Sequence, residues 1–288
     1  CKDCGFKPAF EDSEGNLYRY NGSDSIDALN EAIKKGETSF MLVNFAQGEG
    51  ADTATVEAAF ALETDANVTL NMNGYTLTSS GNPTLTVENG TLKITGDATI
   101  NQTGTFSDLA APAVRVTGGT LIFDSKLTAT VASGKPAVEV TNGTLRLKAG
   151  DVLNGGVSVA GSTTYANVNA LLGDGLAFEK EDEHSIIVVK GNVKSIDENV
   201  VVKAHKHNSF TLGVAGKYVC ICGYTCPHND FKDGKCKICG NGCAHTNVDD
   251  GGVCRNCKTQ MAVKSETGGT VTYGTDFKAA MKAAENGT

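Results

Sequence analysis

Pro112-Ala-Val-Arg-Val-Thr-Gly-Gly-Thr-Leu-Ile-Phe123 returns 24 residues later as Pro136-Ala-Val-Glu-Val-Thr-Asn-Gly-Thr-Leu-Arg-Leu147. The same pattern lies 29 residues earlier, as Pro83-Thr-Leu-Thr-Val-Glu-Asn-Gly-Thr-Leu-Lys-Ile94. Each copy is a short alternating strand, a glycine corner and a second short strand. Alternation places Leu85 and Val87, Val114 and Val116, and Val138 and Val140 on one face. Thr86, Arg115 and Glu139 fall on the other, and in the second strands so do Lys93, Ile122 and Arg146. Gly90, Gly119 and Gly143 supply the positive φ that a tight bend requires.

Two arrangements satisfy this pattern. An Asn-Gly corner between strands is a strong hairpin signal, which gives an antiparallel meander. The near-constant spacing of whole units favours parallel stacking, with roughly one unit per 22–29 residues. Parallel stacking sets Arg115 one step from Glu139, close enough to pair. The six outward residues Thr86, Lys93, Arg115, Ile122, Glu139 and Arg146 form a candidate contact face. Ile122, the one apolar member, is expected to pack under a loop.

Upstream, Asn67-Val-Thr-Leu-Asn-Met-Asn-Gly-Tyr-Thr-Leu77 has the same strand–corner–strand form. This run resembles the opening turn of pectate-lyase-like right-handed β-helices. The resemblance covers about 160 residues and implies a mainly β fold: a right-handed parallel β-helix, or solenoid. An open solenoid end needs a cover against strand addition. The expected cover is an N-terminal capping helix over residues 24–35, with Ser23 or Asp24 as N-cap. Its apolar side is Ile26, Leu29 and Ile33, and Gly36 is the stop. Phe40–Phe45 is expected as the first strand. Residues 167–172 read as a short helix, followed by strands at Leu176–Phe178 and Ile186–Lys190.

Beyond residue 203 the composition changes. Twelve of the 10 Cys and 5 His fall into three sets of four. They are His205, His207, Cys220 and Cys222; Cys226, His228, Cys236 and Cys239; Cys243, His245, Cys254 and Cys257. Four is the coordination number of structural zinc. Ligands at i and i+2 of an extended strand lie roughly 6.5–7 Å apart, within reach of one ion. Pairing of ligands across neighbouring sets stays open. A histidine at fixed offset from a cysteine argues against a pure disulfide framework, although a bond such as Cys236–Cys239 stays open in an oxidising medium. Each set spans a largely polar stretch too small to hold by burial, so metal binding is expected to supply its folding energy. About three structural Zn2+ per chain are expected.

The chain also resembles itself. Cys1-Lys-Asp-Cys4 matches Cys254-Arg-Asn-Cys257, Gly15 matches Gly268, and Leu17–Tyr20 matches Thr270–Tyr273, at an offset of about 253 residues. The expected organisation is therefore four parts. Residues 1–15 are the tail of a preceding Cys/His module, and residues 16–203 a β-helix domain. Residues 204–260 are three tandem zinc-binding modules, and residues 261–288 the start of the next repeat, so adjacent copies are expected partners.

Net charge is −8 over 288 residues, which argues against nucleic acid as a partner. The excess is uneven, with 24 acidic and 12 basic residues up to Val189. No apolar run is long enough for a transmembrane segment. No catalytic residue emerges: Glu88, Asp97, Asp108, Asp124, Glu139 and Asp151 occupy different places in their units and read as a solvated acidic surface. His184 sits in a charged loop. Sugar-stacking aromatics are few, with no Trp.

Glycine- and threonine-rich β domains alternating with small Cys/His modules resemble the repetitive surface or secreted proteins of Gram-positive anaerobes. That resemblance implies an extracellular or cell-surface location and a non-enzymatic binding or adhesion role, with a host protein or glycan as partner. Three other roles stay open: a polysaccharide lyase or glycoside hydrolase, a purely structural spacer, and an immunoglobulin-binding surface protein.

Overall fold

The structure is a computed structural model. It describes residues 8–19, 23–44, 54–104, 111–132, 134–160, 165–173, 175–183, 185–189, 191–205, 210–212, 217–220, 225–232, 235–243, 248–249, 252–255, 258, 263–267 and 270–274. The chain divides into two compact units, Cys1–His205 and Lys206–Thr288.

The first unit begins with an antiparallel pair, β1 (Pro8–Asp12) and β2 (Leu17–Arg19), and helix α1 (Ser23–Lys34). Strands then come in triplets. The first is β3 (Ser39–Leu42), β4 (Thr55–Glu57) and β5 (Phe60–Leu62). The second is β6 (Asn67–Asn71), β7 (Thr76–Ser79) and β8 (Leu85–Val87). Next come β9 (Thr91–Thr95), β10 (Ala98–Gln102) and β11 (Val114–Val116). The fourth triplet is β12 (Thr120–Phe123), β13 (Leu127–Val131) and β14 (Val138–Val140). The fifth is β15 (Thr144–Leu145), β16 (Val152–Asn154) and β17 (Val157–Val159).

Each strand pairs in parallel with its counterpart in the next triplet, so three sheets grow side by side, each from every third strand. The repeated segment is therefore not a hairpin. Its two halves, β8 and β9 in the first copy, belong to different sheets. The register follows the sequence repeat: Val114 stands opposite Leu85 and Val138, and Arg115 opposite Thr86 and Glu139. The inward residues Leu70, Leu77, Leu85, Ile94, Ile100, Val114, Leu121, Ala129 and Val138 are fully buried in one hydrophobic core. Each buried Val or Leu contributes about 1.5–3 kcal/mol.

The corners stack as tightly as the strands. A Cβ on Gly119 would stand 2.5 Å from the carbonyl oxygen of Gly90, and one on Gly143 would stand 2.7 Å from that of Gly119. Both glycines also have positive φ, 62° and 89°. Glycine is required twice over, by backbone conformation and by space.

Two of the end strands, β5 and β15, are covered. α1 buries Leu29 and Ile33. Its Asn30 donates to the Ala61 carbonyl at 2.9 Å and accepts from the Glu63 amide at 3.1 Å. One side-chain amide thus occupies two backbone groups along the outer edge of β5, the Ala61 carbonyl and the Glu63 amide. Beneath it, the rings of Phe10, Phe40, Phe60 and Tyr18 pack edge to face at centroid distances of 5.6–6.1 Å.

At the far end, Tyr165 plays the corresponding part, its hydroxyl bonded to both the amide and the carbonyl of Leu145. A 3-10 helix, Val168–Leu171, lies at the short helix expected there. β18 (Leu176–Lys180), β19 (Ser195–Ile196) and β20 (Val200–Ala204) then add antiparallel strands to two of the sheets. The strand expected at Ile186–Lys190 does not form among the described residues 186–189. Residues 185–187 instead make a single bridge, Ile186 to Glu179, along the edge of β18 that β20 leaves open. No helix among the described residues is long and apolar enough to cross a membrane.

Candidate metal centre

In the second unit, the residue five places after each set's opening ligand pairs with the cysteine that opens its closing pair. Phe210 of β21 (Phe210–Leu212) faces Cys220 of β22 (Tyr218–Cys220), and Phe231 of β23 (Phe231–Lys232) faces Cys236 of β24 (Lys235–Cys236). Val248 bridges Cys254 in the same way. The three sets therefore share one antiparallel pairing, which delivers Cys220 and Cys236 from strand ends and Cys254 from a single bridge. A further antiparallel pair, β25 (Val263–Thr267) and β26 (Thr270–Gly274), follows them.

The middle set is described in full. Cys226 Sγ lies 3.5 Å from Cys236 Sγ, and Cys239 Sγ lies 3.3 Å from His228 Nδ1. The four ligand atoms lie within 4.8 Å of one another and can hold a metal ion. Its turns are shaped for sulfur. After Cys236 the chain bends so that the Gly240 amide donates to the Cys236 carbonyl at 2.8 Å, with Gly240 at φ 71°. In that bend the amides of Cys239 and Ile238 donate to the Cys236 sulfur, and the His228 amide donates to the Cys226 sulfur. Such bonds favour thiolate over thiol.

Burial dominates at Cys226 and pushes its thiol up to about 12. Cys236 is equally buried, but its amide donors hold it below its ordinary value of 9.0. A cation among these sulfurs would offset the desolvation that keeps Cys226 protonated.

His228 is oriented as a ligand. Its Nε2 lies 3.1 Å from the Gly242 carbonyl, which only accepts, so the proton sits on Nε2 and Nδ1 presents its lone pair to the cysteines. Tyr218 and Phe231 flank the ring at centroid distances of 5.1 and 4.8 Å. The local backbone differs from the extended strand expected between Cys226 and His228. His228 takes φ 51°, because its amide turns back to the Cys226 sulfur. Ring and thiol meet through a bend rather than through the pleat.

The last set repeats half of this geometry. Cys243 Sγ lies 3.5 Å from Cys254 Sγ, and the Lys258 amide donates to the Cys254 carbonyl at 2.8 Å with φ 60°. His245 and Cys257 lie outside the described residues. In the first set Cys220 is buried, while His207 and Cys222 lie outside the described residues. His205 belongs to the first unit, where its amide donates to the Gly175 carbonyl at 2.7 Å. Cys1, Cys4 and His184 also lie outside the described residues.

On the sheets, Arg115 Nε donates to Glu139 Oε2 at 2.8 Å. Lys93 pairs with Asp124 at 3.0 Å, and Arg146 binds the Ala170 carbonyl with its guanidinium over the Tyr165 ring. Three expectations are corrected. Ile122 is 41% exposed rather than packed under a loop, because it takes the outward position of β12, in register with the exposed Lys93. Thr86 is only 9% exposed, because α1 and Arg115 flank it and leave it on the floor of a groove. Asp151, expected on a solvated surface, is buried and accepts the amides of Leu127 and Lys148 at 2.9 and 2.7 Å. Burial raises its carboxyl above the usual range.

Two grooves escaped the sequence reading. One, of about 430 Å³, is lined by Thr130, Lys135, Asn154, Glu181, Asp197 and Asn199. The other, of about 280 Å³, is lined by Asp27, Glu63, Thr86, Glu88 and Arg115 among others. Each gathers residues far apart in the sequence, so no local motif announces it.

Fold and site together define a mainly β chain of parallel sheets that also carries a four-ligand Cys/His centre. Comparison with known protein families, with curated proteins and with solved structures gave no match.

Proposed function

We propose that this chain is part of a non-enzymatic extracellular repeat protein that binds a host protein or glycan along the side of rigid β-helical rods. In this reading the five strand triplets are coils of a right-handed parallel β-helix, and the Cys/His modules are structural zinc joints between such rods. One observation carries it. Ala61, Thr86, Arg115, Glu139 and Ser158 stand in unbroken register along one sheet whose end strand β5 is capped by Asn30. A row of that kind is a fixed lateral surface, suited to contact rather than to chemistry.

The zinc reading rests on distances. Tetrahedral zinc with Zn–S bonds of about 2.3 Å separates its sulfurs by about 3.8 Å, near the 3.5 Å between Cys226 and Cys236. Four protein ligands fill the sphere and mark a structural site. The flanking sets, His205, His207, Cys220 and Cys222, and Cys243, His245, Cys254 and Cys257, supply the second and third ions.

The experiment is bead attachment. Beads displaying the chain are expected to bind cultured cells or immobilised glycans. Replacing Lys93, Arg115, Ile122, Glu139 and Arg146 together by alanine is expected to abolish that binding while the melting curve stays cooperative. Unchanged attachment would leave a structural spacer.

A second reading, an enzyme acting on a polysaccharide, is favoured by one observation: Glu181 and Asp197 line a single groove with Lys135. Release of reducing or unsaturated ends from an acidic polysaccharide, lost on Glu181→Gln, would establish it in place of the first.

A further inference from the structure

We infer that residues 185–189, which run along β18, are an open sheet edge that pairs antiparallel with the same edge of a second copy of this chain. The inference goes beyond the lateral surface proposed above and uses none of its residues.

Ser185-Ile-Ile-Val-Val189 carries no charge and consists mostly of β-branched residues, which suit a strand. The Lys180 amide donates to the Ser185 carbonyl and the Ile187 amide to the Phe178 carbonyl, each at 2.9 Å. Between those two bonds Ile186 stands opposite Glu179. In an antiparallel pair, a residue at that position turns its own amide and carbonyl away from the neighbouring strand. Val188, two places on, keeps the same phase. Burial follows this alternation: Val189 is buried and Ile187 packs against the core, while Ile186 and Val188 are 37% and 38% exposed. Among the described residues no hydrogen bond reaches the backbone of Ile186 or Val188.

Other end strands are treated differently. Besides Asn30 on β5 and Tyr165 on β15, Asn44 donates to the Thr55 carbonyl of end strand β4 at 2.7 Å. An edge that stays exposed is commonly defended by a charge or a proline. Residues 185–189 hold neither.

Register and charge choose a second copy as the occupant. A two-fold axis at Ile187 sets Ile186 against Val188 of the second copy, and Val188 against its Ile186. Each pair then exchanges both backbone hydrogen bonds, and the exposed side chains cover one another on one face. Glu181, Asp182 and Glu183 precede the run, and Lys190 and Lys194 follow it. Antiparallel pairing lays the acidic end of one copy beside the basic end of the other, whereas parallel pairing would set like charges together. Each copy offers this edge once, so the assembly closes as a dimer.

The test is sedimentation velocity of the whole chain with zinc and a thiol reductant, which excludes intermolecular disulfides, from micromolar to near-millimolar concentration. A monomer–dimer equilibrium is expected. Val188→Pro removes an outward amide that bonds nothing in the single chain, and is expected to weaken dimerisation about tenfold or more. Ile186→Lys combined with Val188→Lys is expected to stay monomeric. Ile186→Lys combined with Val188→Glu is expected to dimerise again, because the register sets each introduced lysine against the introduced glutamate of the other copy. Melting curves establish that each variant is folded. A folded lysine–glutamate variant no better at dimerising than the double lysine would overturn the inference, as would a dimer that every variant retains. A chain that is monomeric at all concentrations would also overturn it and leave the edge to a strand of another protein. Open-ended growth in place of a discrete dimer would overturn it as well, and mark the edge as an aggregation site.

Discussion

Cys226 Sγ and Cys236 Sγ stand 3.5 Å apart across the mouth of one small hairpin. A disulfide would bring them to about 2.05 Å, so this is a pair of unbonded sulfurs held at the edge length of a metal tetrahedron. The purified chain is expected to carry three zinc ions by elemental analysis. Cys226→Ser, His228→Ala and Cys239→Ser are each expected to remove one ion and leave two. A chelator is expected to expose the thiols of all three modules to alkylation while the parallel sheets keep their far-ultraviolet signal, because metal binding supplies the folding energy of such small modules. Zinc-free protein with oxidised cysteines would refute this.

The stacked corners give a second expectation. Gly119→Ala puts a Cβ 2.5 Å from the Gly90 carbonyl at a positive φ, so the corner must move and the ladders on either side move with it. The cost is expected to reach about 3 kcal/mol or more, combining backbone strain with lost packing. Gly74→Ala is the control. It has positive φ, 76°, but no atom within 4 Å of its Cβ, and is expected to cost about 1 kcal/mol. Urea denaturation of the two variants separates space from conformation.

Much of this was legible in the sequence. Leu85 and Val87 announce their burial by alternation, and Gly119 its corner. The repeat spacing alone sets Arg115 against Glu139, and the structure joins them at 2.8 Å. What stayed hidden shares a physical cause. Asn30, Asp151 and Tyr165 are polar residues whose partners are backbone groups 20–33 residues away, placed there only by stacking. No local pattern distinguishes such a residue from a solvated one. Thr86 was misplaced for the same reason: its outward direction is local, but its burial depends on α1. At the metal centre the ligands were legible while the bend at His228 was not, since it answers to an amide–sulfur bond rather than to strand periodicity.

The two end caps are expected to matter equally. Asn30→Ala leaves the Ala61 carbonyl and the Glu63 amide at the edge of β5 without their partner, and Tyr165→Phe does the same to both backbone groups of Leu145. Each is expected to cost about 1–3 kcal/mol, the penalty for buried backbone groups left unpaired. An uncovered edge also invites pairing with another chain, so light scattering on storage is expected to rise for both variants. Stability and solubility unchanged in either would remove the capping role.

The Arg115–Glu139 pair, by contrast, is expected to contribute little. Their side chains are 34% and 26% exposed, and pairs of this kind give about 0.2–1 kcal/mol in double-mutant cycles. The coupling between Arg115→Ala and Glu139→Ala is expected to lie in that range and to shrink as salt is added. A coupling of several kcal/mol would mean that the row stabilises the fold rather than presenting a surface.

The N-terminal pair of strands carries a pH signature. Asp12 is only 8% exposed, and burial alone would raise its carboxyl. The Asn16 side chain, the Tyr18 hydroxyl and the amides of Asn16 and Glu14 all donate to it and bring it below its ordinary value of 3.8. The folded state therefore binds that proton less readily than the unfolded chain. The resulting stability is present above pH 3.8 and is lost as pH falls through the folded value. Tyr18, the donor in this arrangement, is pushed up to about 12, first by burial and then by Asp12. Asp12→Asn is expected to lower the urea midpoint at neutral pH, with a difference from wild type that closes on acidification below 3.8. It is also expected to bring the Tyr18 phenol back toward 10.0 in a spectrophotometric titration. A midpoint difference that persists unchanged in acid would show that Asp12 acts through shape, with no contribution from its charge.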